Sequence, residues 1–277
     1  MGPGGMSDRI RVFSGASANG EDAEACAVLE YTLRSNSSMP VDLEWMSLSR
    51  DSRSPFYSAP DLDEGWRTER WGSPFTALKW AVPFMCGYSG RAVYVDPDFV
   101  VRGDLADLWH LEMPPGTLVA ARRFGGAFRF NVCIFDCGAF RARLGLELLD
   151  LQRNVGTHQE LMEHFAQNRS LVQALDPFWH VLDTEIEGTI GAEVCAYHCS
   201  RMNLQPYMRH AVPRLLRAER EHWFTGTVLR HPNPRLESEF DALLAAAVGS
   251  GYGLERYTRG PLYGRYVLSG SLRQVAL

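Results

Sequence analysis

No stretch of the 277-residue sequence approaches the roughly 18 consecutive apolar residues that a membrane-crossing helix needs. The opening Met1-Gly2-Pro3-Gly4-Gly5 has neither the basic start nor the apolar run of a secretory signal. Residues 1–9 read as a disordered leader or an artificial remnant, and residues 10–277 as a single domain with a less regular C-terminal third. Basic runs are missing too. Lys and Arg number 28 against 33 Asp and Glu, a formal net charge of −5. Affinity for duplex nucleic acid comes mainly from neutralised phosphates, so a nucleic-acid partner is not expected. A local basic pocket for a diphosphate stays compatible with this charge. A cytoplasmic setting follows by default, and the six cysteines suit it as reduced thiols. Cys133 and Cys137 are four residues apart, as are Cys195 and Cys199. That spacing allows zinc, but in a strand it also places two small thiols on one buried side, and core thiols are the better reading. Internal repeats and low-complexity linkers are absent as well.

What is present is alternation of strand and helix signals. Ile10 to Phe13 reads as a strand that opens into Ser14-Gly15-Ala16-Ser17. Glu21 to Leu33 then repeats apolar positions at three and four, with acidic residues suited to a helix N-terminus. Val41 to Leu48 alternates as a second strand. This strand–helix–strand opening begins a doubly wound α/β sheet. Arg50 to Gly72 reads as an irregular loop and Ser73 to Cys86 as helical. Strands are expected at Arg91–Val95, Phe99–Val101, Thr117–Ala121, Val132–Phe135 and Glu193–His198. Helices are expected at Asp104–Trp109, Phe140–Leu151, Gln159–Gln167 and Leu236–Val248.

The strand Arg91–Val95 runs directly into Asp96-Pro97-Asp98. In open α/β sheets, ligands collect beyond the carboxyl ends of strands. Two carboxylates one residue apart repel unless a cation lies between them. Mg²⁺ and Mn²⁺ prefer oxygen ligands and bind through one or two carboxylates plus substrate phosphates. Pro97 stiffens the turn and limits how far the two Asp can separate. The plain alternative is an ordinary Asp-Pro-Asp turn.

The surroundings favour the metal reading through a resemblance. The stretch from Ser73 through Lys79 to Pro83 leads into Arg91-Ala92-Val93-Tyr94-Val95-Asp96-Pro97-Asp98 and on to Gly103-Asp104-Leu105. This block resembles the centre of the family 8 glycosyltransferases, with their Tyr-Leu-Asp-x-Asp strand end and Gly-Asp-Leu segment. The opening Arg11-Val12-Phe13-Ser14-Gly15, the segment Phe178 to Asp183, and Ala196-Tyr197-His198 followed by Gln205-Pro206-Tyr207 are similar to further family segments. The likeness spans roughly residues 10 to 210.

The resemblance implies a Rossmann-like GT-A fold with a mixed central sheet and helices on both faces. It implies metal-dependent transfer of a sugar from a nucleotide diphosphate, usually UDP, to a saccharide or other hydroxyl-bearing acceptor, with retention at the anomeric carbon. The metal would be Mn²⁺ or Mg²⁺, held by Asp96, Asp98 and His198. Lys79 stands at a position usually held by Arg and would contact the diphosphate or brace the triplet around Pro97. Phe13, Ser14, Gly15 and Ala16 would approach the nucleotide, although the family often places an Asp nearby for uracil and this segment has none before Asp22. Asn131 would bond the donor sugar, in a block that lacks the family's Ser-Gly. Gln159 would lie beneath the anomeric carbon, with His158 where the family tends to carry Asp. Two other classes compete. A haloacid-dehalogenase-like phosphatase also places Asp-x-Asp after an apolar strand, with the first Asp as nucleophile. A degenerate sugar-nucleotide-binding module is favoured by the altered Ser-Gly and Asp-Gln positions.

Overall fold

The computed structural model describes residues 8–219, 222–224, 227–258 and 261–269. Most of the expected leader therefore lies outside the described residues. The chain opens with β1 (Ile10–Gly15), α1 (Ala23–Ser35) and β2 (Val41–Met46). The following segment is less irregular than its composition suggests. β3 (Ser58–Ala59) and β4 (Glu64–Gly65) pair antiparallel within it.

Helical content after Ser73 is reduced to a 3₁₀ turn at Leu78–Ala81 and the single turn α2 (Val82–Met85). Pro83 sits in the first turn of α2, where a missing N–H costs nothing. Then come β5 (Arg91–Val95), β6 (Phe99–Val101) and α3 (Leu105–Trp109). β7 (Val119–Phe124) and β8 (Ala127–Asp136) form a hairpin, so the expected Val132–Phe135 strand is the end of a longer one. The helix expected over Phe140–Leu151 is two, α4 (Cys137–Leu144) and α5 (Leu148–Arg153). Gly145 divides them at φ +62°, a left-handed conformation that ends a helix.

α6 (Thr157–Gln167) and β9 (Val172–Leu175) follow, then β10 (Val181–Leu182) and β11 (Ala196–His198). The chain continues with α7 (Met208–Arg217), α8 (Pro234–Gly249) and α9 (Glu255–Thr258). Among the described residues, no helix is long and apolar enough to cross a membrane.

The main sheet has six strands in the order β2-β1-β5-β8-β7-β9. β1 is parallel to β2 and β5, β8 is antiparallel to β5 and β7, and β9 is parallel to β7. The sheet is therefore mixed, with helices on its faces, as expected. Aromatic residues fill one face, including Trp80, Phe130, Phe135 and Phe165. Aliphatic residues of β1, β5 and β8 pack on the other. A third cluster joins α1, α7 and α8 through residues such as Val28, Leu215 and Phe240.

A small second sheet, β10-β11-β6, closes over the exit of β5. It pairs the strand that follows the acidic triplet with one from much later in the chain. Phe99 stands opposite His198 in that antiparallel register.

Candidate active site

β5 is hydrogen-bonded on both flanks, to β1 and to β8, and four of its five residues are buried. A strand so constrained delivers its last side chains to a defined place. Asp96, the first residue beyond it, donates its N–H to the Asn131 carbonyl at 2.7 Å. Positions two apart share a face of a strand, so Tyr94 lies beneath Asp96 and donates its hydroxyl to Oδ1 at 2.6 Å. Asn131 Nδ2 reaches Oδ2 at 2.5 Å. Lys79 arrives from the 3₁₀ turn, almost fully buried, with Nζ 3.5 Å from Asp96 Oδ1 and 3.2 Å from the Phe130 carbonyl. Burial of the Tyr94 phenol, reinforced by the Asp96 charge, pushes its pKa well above the ordinary value and keeps it a donor.

Asp98 is held differently. Gln205 Nε2 donates to its Oδ2 at 2.7 Å, and Cys199 N–H donates to its backbone carbonyl at 3.0 Å. His198 Nε2 lies 3.3 Å from Asp98 Oδ1, but the pair is too poorly aligned for a hydrogen bond, so Oδ1 is buried without a donor. Buried carboxylate oxygens without partners are costly and call for an explanation. The His198 ring stacks on Phe99, centroids 4.6 Å apart, and its Nδ1 meets His180 Nε2 at 3.3 Å. Burial is the largest influence on the His198 pKa and lowers it, but Asp98 together with the charges of Asp96 and Asp183 outweighs it, and the net direction is upward. His180 is driven down to about 2, first by burial and then by the charge of His198, and so stays neutral.

One ligand atom from each of Asp96, Asp98 and His198 lies within 4.8 Å of the others. Among the described residues this is the one His, Cys, Asp or Glu group so arranged. The cysteines are free, and all but Cys195 are buried.

The triad opens into a cavity of about 320 Å³, within the range of small-molecule sites. Lys79, Pro97 and Asn131 also line it, as do His158, Arg129, Arg201 and Trp223. The four expected first-strand residues do not. Phe13 is in the core, and Ser14 is fully buried. Ala16 N–H is bonded to the Met46 carbonyl. Gly15 backs onto Phe75, and a Cβ there would sit 2.6 Å from Phe75 Cβ, so the glycine permits close packing rather than ligand approach. The cavity wall on that side is instead Phe75 and Asp22. Asp22 accepts from the Ser17 N–H and hydroxyl, and its burial raises its pKa to about 6.

Gln159 is likewise off the cavity. Its Nε2 donates to the Arg70 carbonyl at 2.9 Å, while the adjacent His158 borders the cavity. Successive helical residues point about 100° apart, so one position decides which side chain faces the ligand space.

Gln205, Tyr94, His180 and Phe99 carry no role in the sequence reading, yet they orient the triad. Gln205 belonged to a recognisable Gln-Pro-Tyr segment and Tyr94 to the strand-end motif, so a signal existed for both. His180 belonged to the Phe178 to Asp183 segment as well, but its contact and that of Phe99 depend on β10 and β6 pairing with β11.

No family model matches the sequence, and no curated protein matches it either. Solved structures do. A structure of the galactosyltransferase LgtC in complex with donor and acceptor sugar analogs aligns with a TM-score of 0.54 at 11% identity, covering 86% of this chain and 96% of that one. The apo structure of WbbM, a bifunctional glycosyltransferase, aligns with a TM-score of 0.51 at 13% identity. It covers 88% of this chain and 53% of WbbM, so the chain spans about half of that protein's length. The mixed sheet, its order and these alignments agree: the chain has the GT-A fold of the glycosyltransferases.

Proposed function

We propose that the protein transfers a sugar from a nucleotide diphosphate, a UDP-sugar in the first instance, to a hydroxyl-bearing acceptor, with Mn²⁺ or Mg²⁺ and with retention of configuration. The observation that carries this reading is the convergence of Asp96, Asp98 and His198 at a cavity wall, with Asp98 Oδ1 buried and lacking a donor. Two carboxylates and an imidazole are a donor set that suits a divalent cation of this kind. Bound there, such a cation supplies electrostatic stabilisation to the diphosphate that leaves.

The chain's own groups act around that site. Tyr94 and Asn131 each hold one oxygen of Asp96 and fix the carboxylate plane. Gln205 fixes Asp98 through Oδ2 and leaves Oδ1 towards His198. His180 is neutral, and its Nε2 lies 3.3 Å from His198 Nδ1; accepting an Nδ1–H there would leave the Nε2 lone pair of a neutral His198 for a metal. Lys79 brings a buried positive charge to the same wall, suited to a diphosphate. Asn131 keeps its amide oxygen for a sugar hydroxyl. Among the described residues, no carboxylate other than Asp22, Asp96 and Asp98 lines the cavity. That suits a front-face route to retention, in which the departing phosphate takes the acceptor proton.

A phosphatase is less well supported. The solved structures that share this fold are glycosyltransferases. Calorimetry of UDP with Mn²⁺ and with EDTA tests the main reading. Affinity at least tenfold higher with Mn²⁺ is expected, about 1.4 kcal/mol. Equal affinity would remove the metal-dependent site. Metal-dependent binding without donor turnover would leave a binding module.

A further inference from the structure

His158 sits where the resembling family tends to carry a carboxylate, and it is the α6 residue whose ring borders the cavity beside the acidic triad. Its chemistry is set by a neighbour. Trp80 Nε1 lies 3.1 Å from His158 Nδ1. An indole nitrogen only donates, so Nδ1 must be an unprotonated acceptor and the ring proton must be on Nε2. Among the described residues, Nε2 has no hydrogen-bond partner. The ring is also largely buried, and burial, followed by the charge of Lys79, lowers its pKa to about 4. The cavity is thus offered a neutral, orientationally fixed N–H donor in place of a carboxylate acceptor.

One helical turn further on, Met162 lines the same cavity. Residues four apart are neighbours on a helix face, so a single N–H and an apolar thioether stand side by side. Met162 also packs against the aromatic core that holds Trp80, which fixes its position.

A plain sugar hydroxyl suits this pair poorly. It can accept from Nε2–H, but its own hydrogen then faces a thioether, and an unpaired buried donor costs about 1–3 kcal/mol. An acetamido group suits both partners: its carbonyl oxygen accepts from the imidazole and its methyl packs on Met162. We propose that His158 and Met162 form the subsite for the transferred sugar and select an N-acetylamino sugar over the corresponding neutral hexose. This rests on the nucleotide-sugar reading above and adds the donor class to it.

Competition calorimetry with Mn²⁺ tests it, comparing UDP, UDP-glucose, UDP-galactose and their N-acetylamino counterparts. The acetylamino donors should bind about tenfold more tightly than the plain hexose donors, the discrimination expected when a site hydrogen bond and a methyl contact are both at stake. His158→Phe keeps a planar ring but removes the donor, and should collapse that ratio towards one. Met162→Ala removes the methyl contact without touching the Trp80 hydrogen bond. It should reduce the ratio severalfold, and it serves if His158→Phe does not fold. UDP binding with no preference in the wild type, or with the preference intact in Met162→Ala and in a folded His158→Phe, would overturn the proposal alone. Failure of UDP itself to bind would remove the nucleotide-sugar reading and this proposal with it.

Discussion

Two largely buried carboxylate pairs lie close to one cavity, which Asp22, Asp96 and Asp98 line, and the protein treats them in opposite ways. Asp96 and Asp98 are surrounded by groups that favour negative charge: Tyr94, Asn131 and Gln205 donate to them, and the Lys79 ammonium stands 3.5 Å from Asp96. Glu21 and Asp22, just before α1, have hydrogen-bond donors but, among the described residues, no ion-pair partner. The nearby guanidinium of Arg214 is taken by Glu24 and the Gly20 carbonyl. Burial therefore wins. It raises Glu21 from its ordinary 4.5 to about 7, with help from the Asp22 charge, and Asp22 from 3.8 to about 6. The difference teaches that burial alone makes a carboxylate prefer its proton. Only a cation, or a constellation ready for one, makes a pair of them a metal site.

The comparison breaks most sharply at Asp98. Replacing Asp98 with Asn keeps the size and a partner for Gln205 but deletes a charge. Turnover of a nucleotide-sugar donor should fall by about 100-fold or more, since each 1.4 kcal/mol of lost stabilisation is a factor of ten. Thermal stability should hold or rise, because an orphaned buried oxygen is lost. Wild-type turnover at saturating Mn²⁺ would contradict the assignment of the triplet.

Tyr94→Phe sharpens it further. The phenol touches no ligand space itself and acts through Asp96, so its removal should raise the Mn²⁺ concentration needed for half-maximal UDP binding by about tenfold. At saturating metal, UDP affinity should return to the wild-type value. A merely structural role would instead lower the melting temperature and leave the metal titration unmoved.

The smallest effect is expected at the other pair, and its sign is opposite to that of a salt-bridged acid. Glu21 prefers its proton in the folded chain. Its contribution to stability is fully present below about pH 4.5 and is lost as pH rises through about 7. The melting temperature should fall by about 2–4 °C between pH 5 and pH 7.5 on this account. Glu21→Gln, which mimics the protonated acid, should flatten that fall. A variant with the same pH slope as wild type would show that Glu21 is not the group responsible.

The legibility of the site follows the range of the interactions that build it. Asp96, Pro97 and Asp98 were readable because a strand running into a turn is a local pattern, and its chemical meaning needs no distant partner. His198 was reachable only through resemblance. Its approach to Asp98 depends on the antiparallel register that sets it opposite Phe99, far earlier in the chain. The start of α6 shows a different limit. Gln159 was the expected contact, yet its amide is bonded to Arg70 and His158 borders the cavity. Sequence periodicity locates a helix to within a residue or two, and one residue turns a side chain by about 100°. The division of the expected Phe140–Leu151 helix at Gly145 has the same origin, since a glycine can interrupt a helix or ride within it according to what packs on either side.

By itself the sequence determined the alternation of strand and helix, the central buried strand and the acidic turn at its end. These follow from hydrophobic period and backbone chemistry, which act between near neighbours. Only the tertiary structure decided which carboxylates meet a cation and which meet only burial. It alone decided that His180 and Gln205 orient the triad, and that a tryptophan hydrogen bond fixes the proton of His158. Electrostatic fate and tautomer are set by groups brought within a few ångströms by sheet pairing and helix rotation, and sequence distance does not encode either.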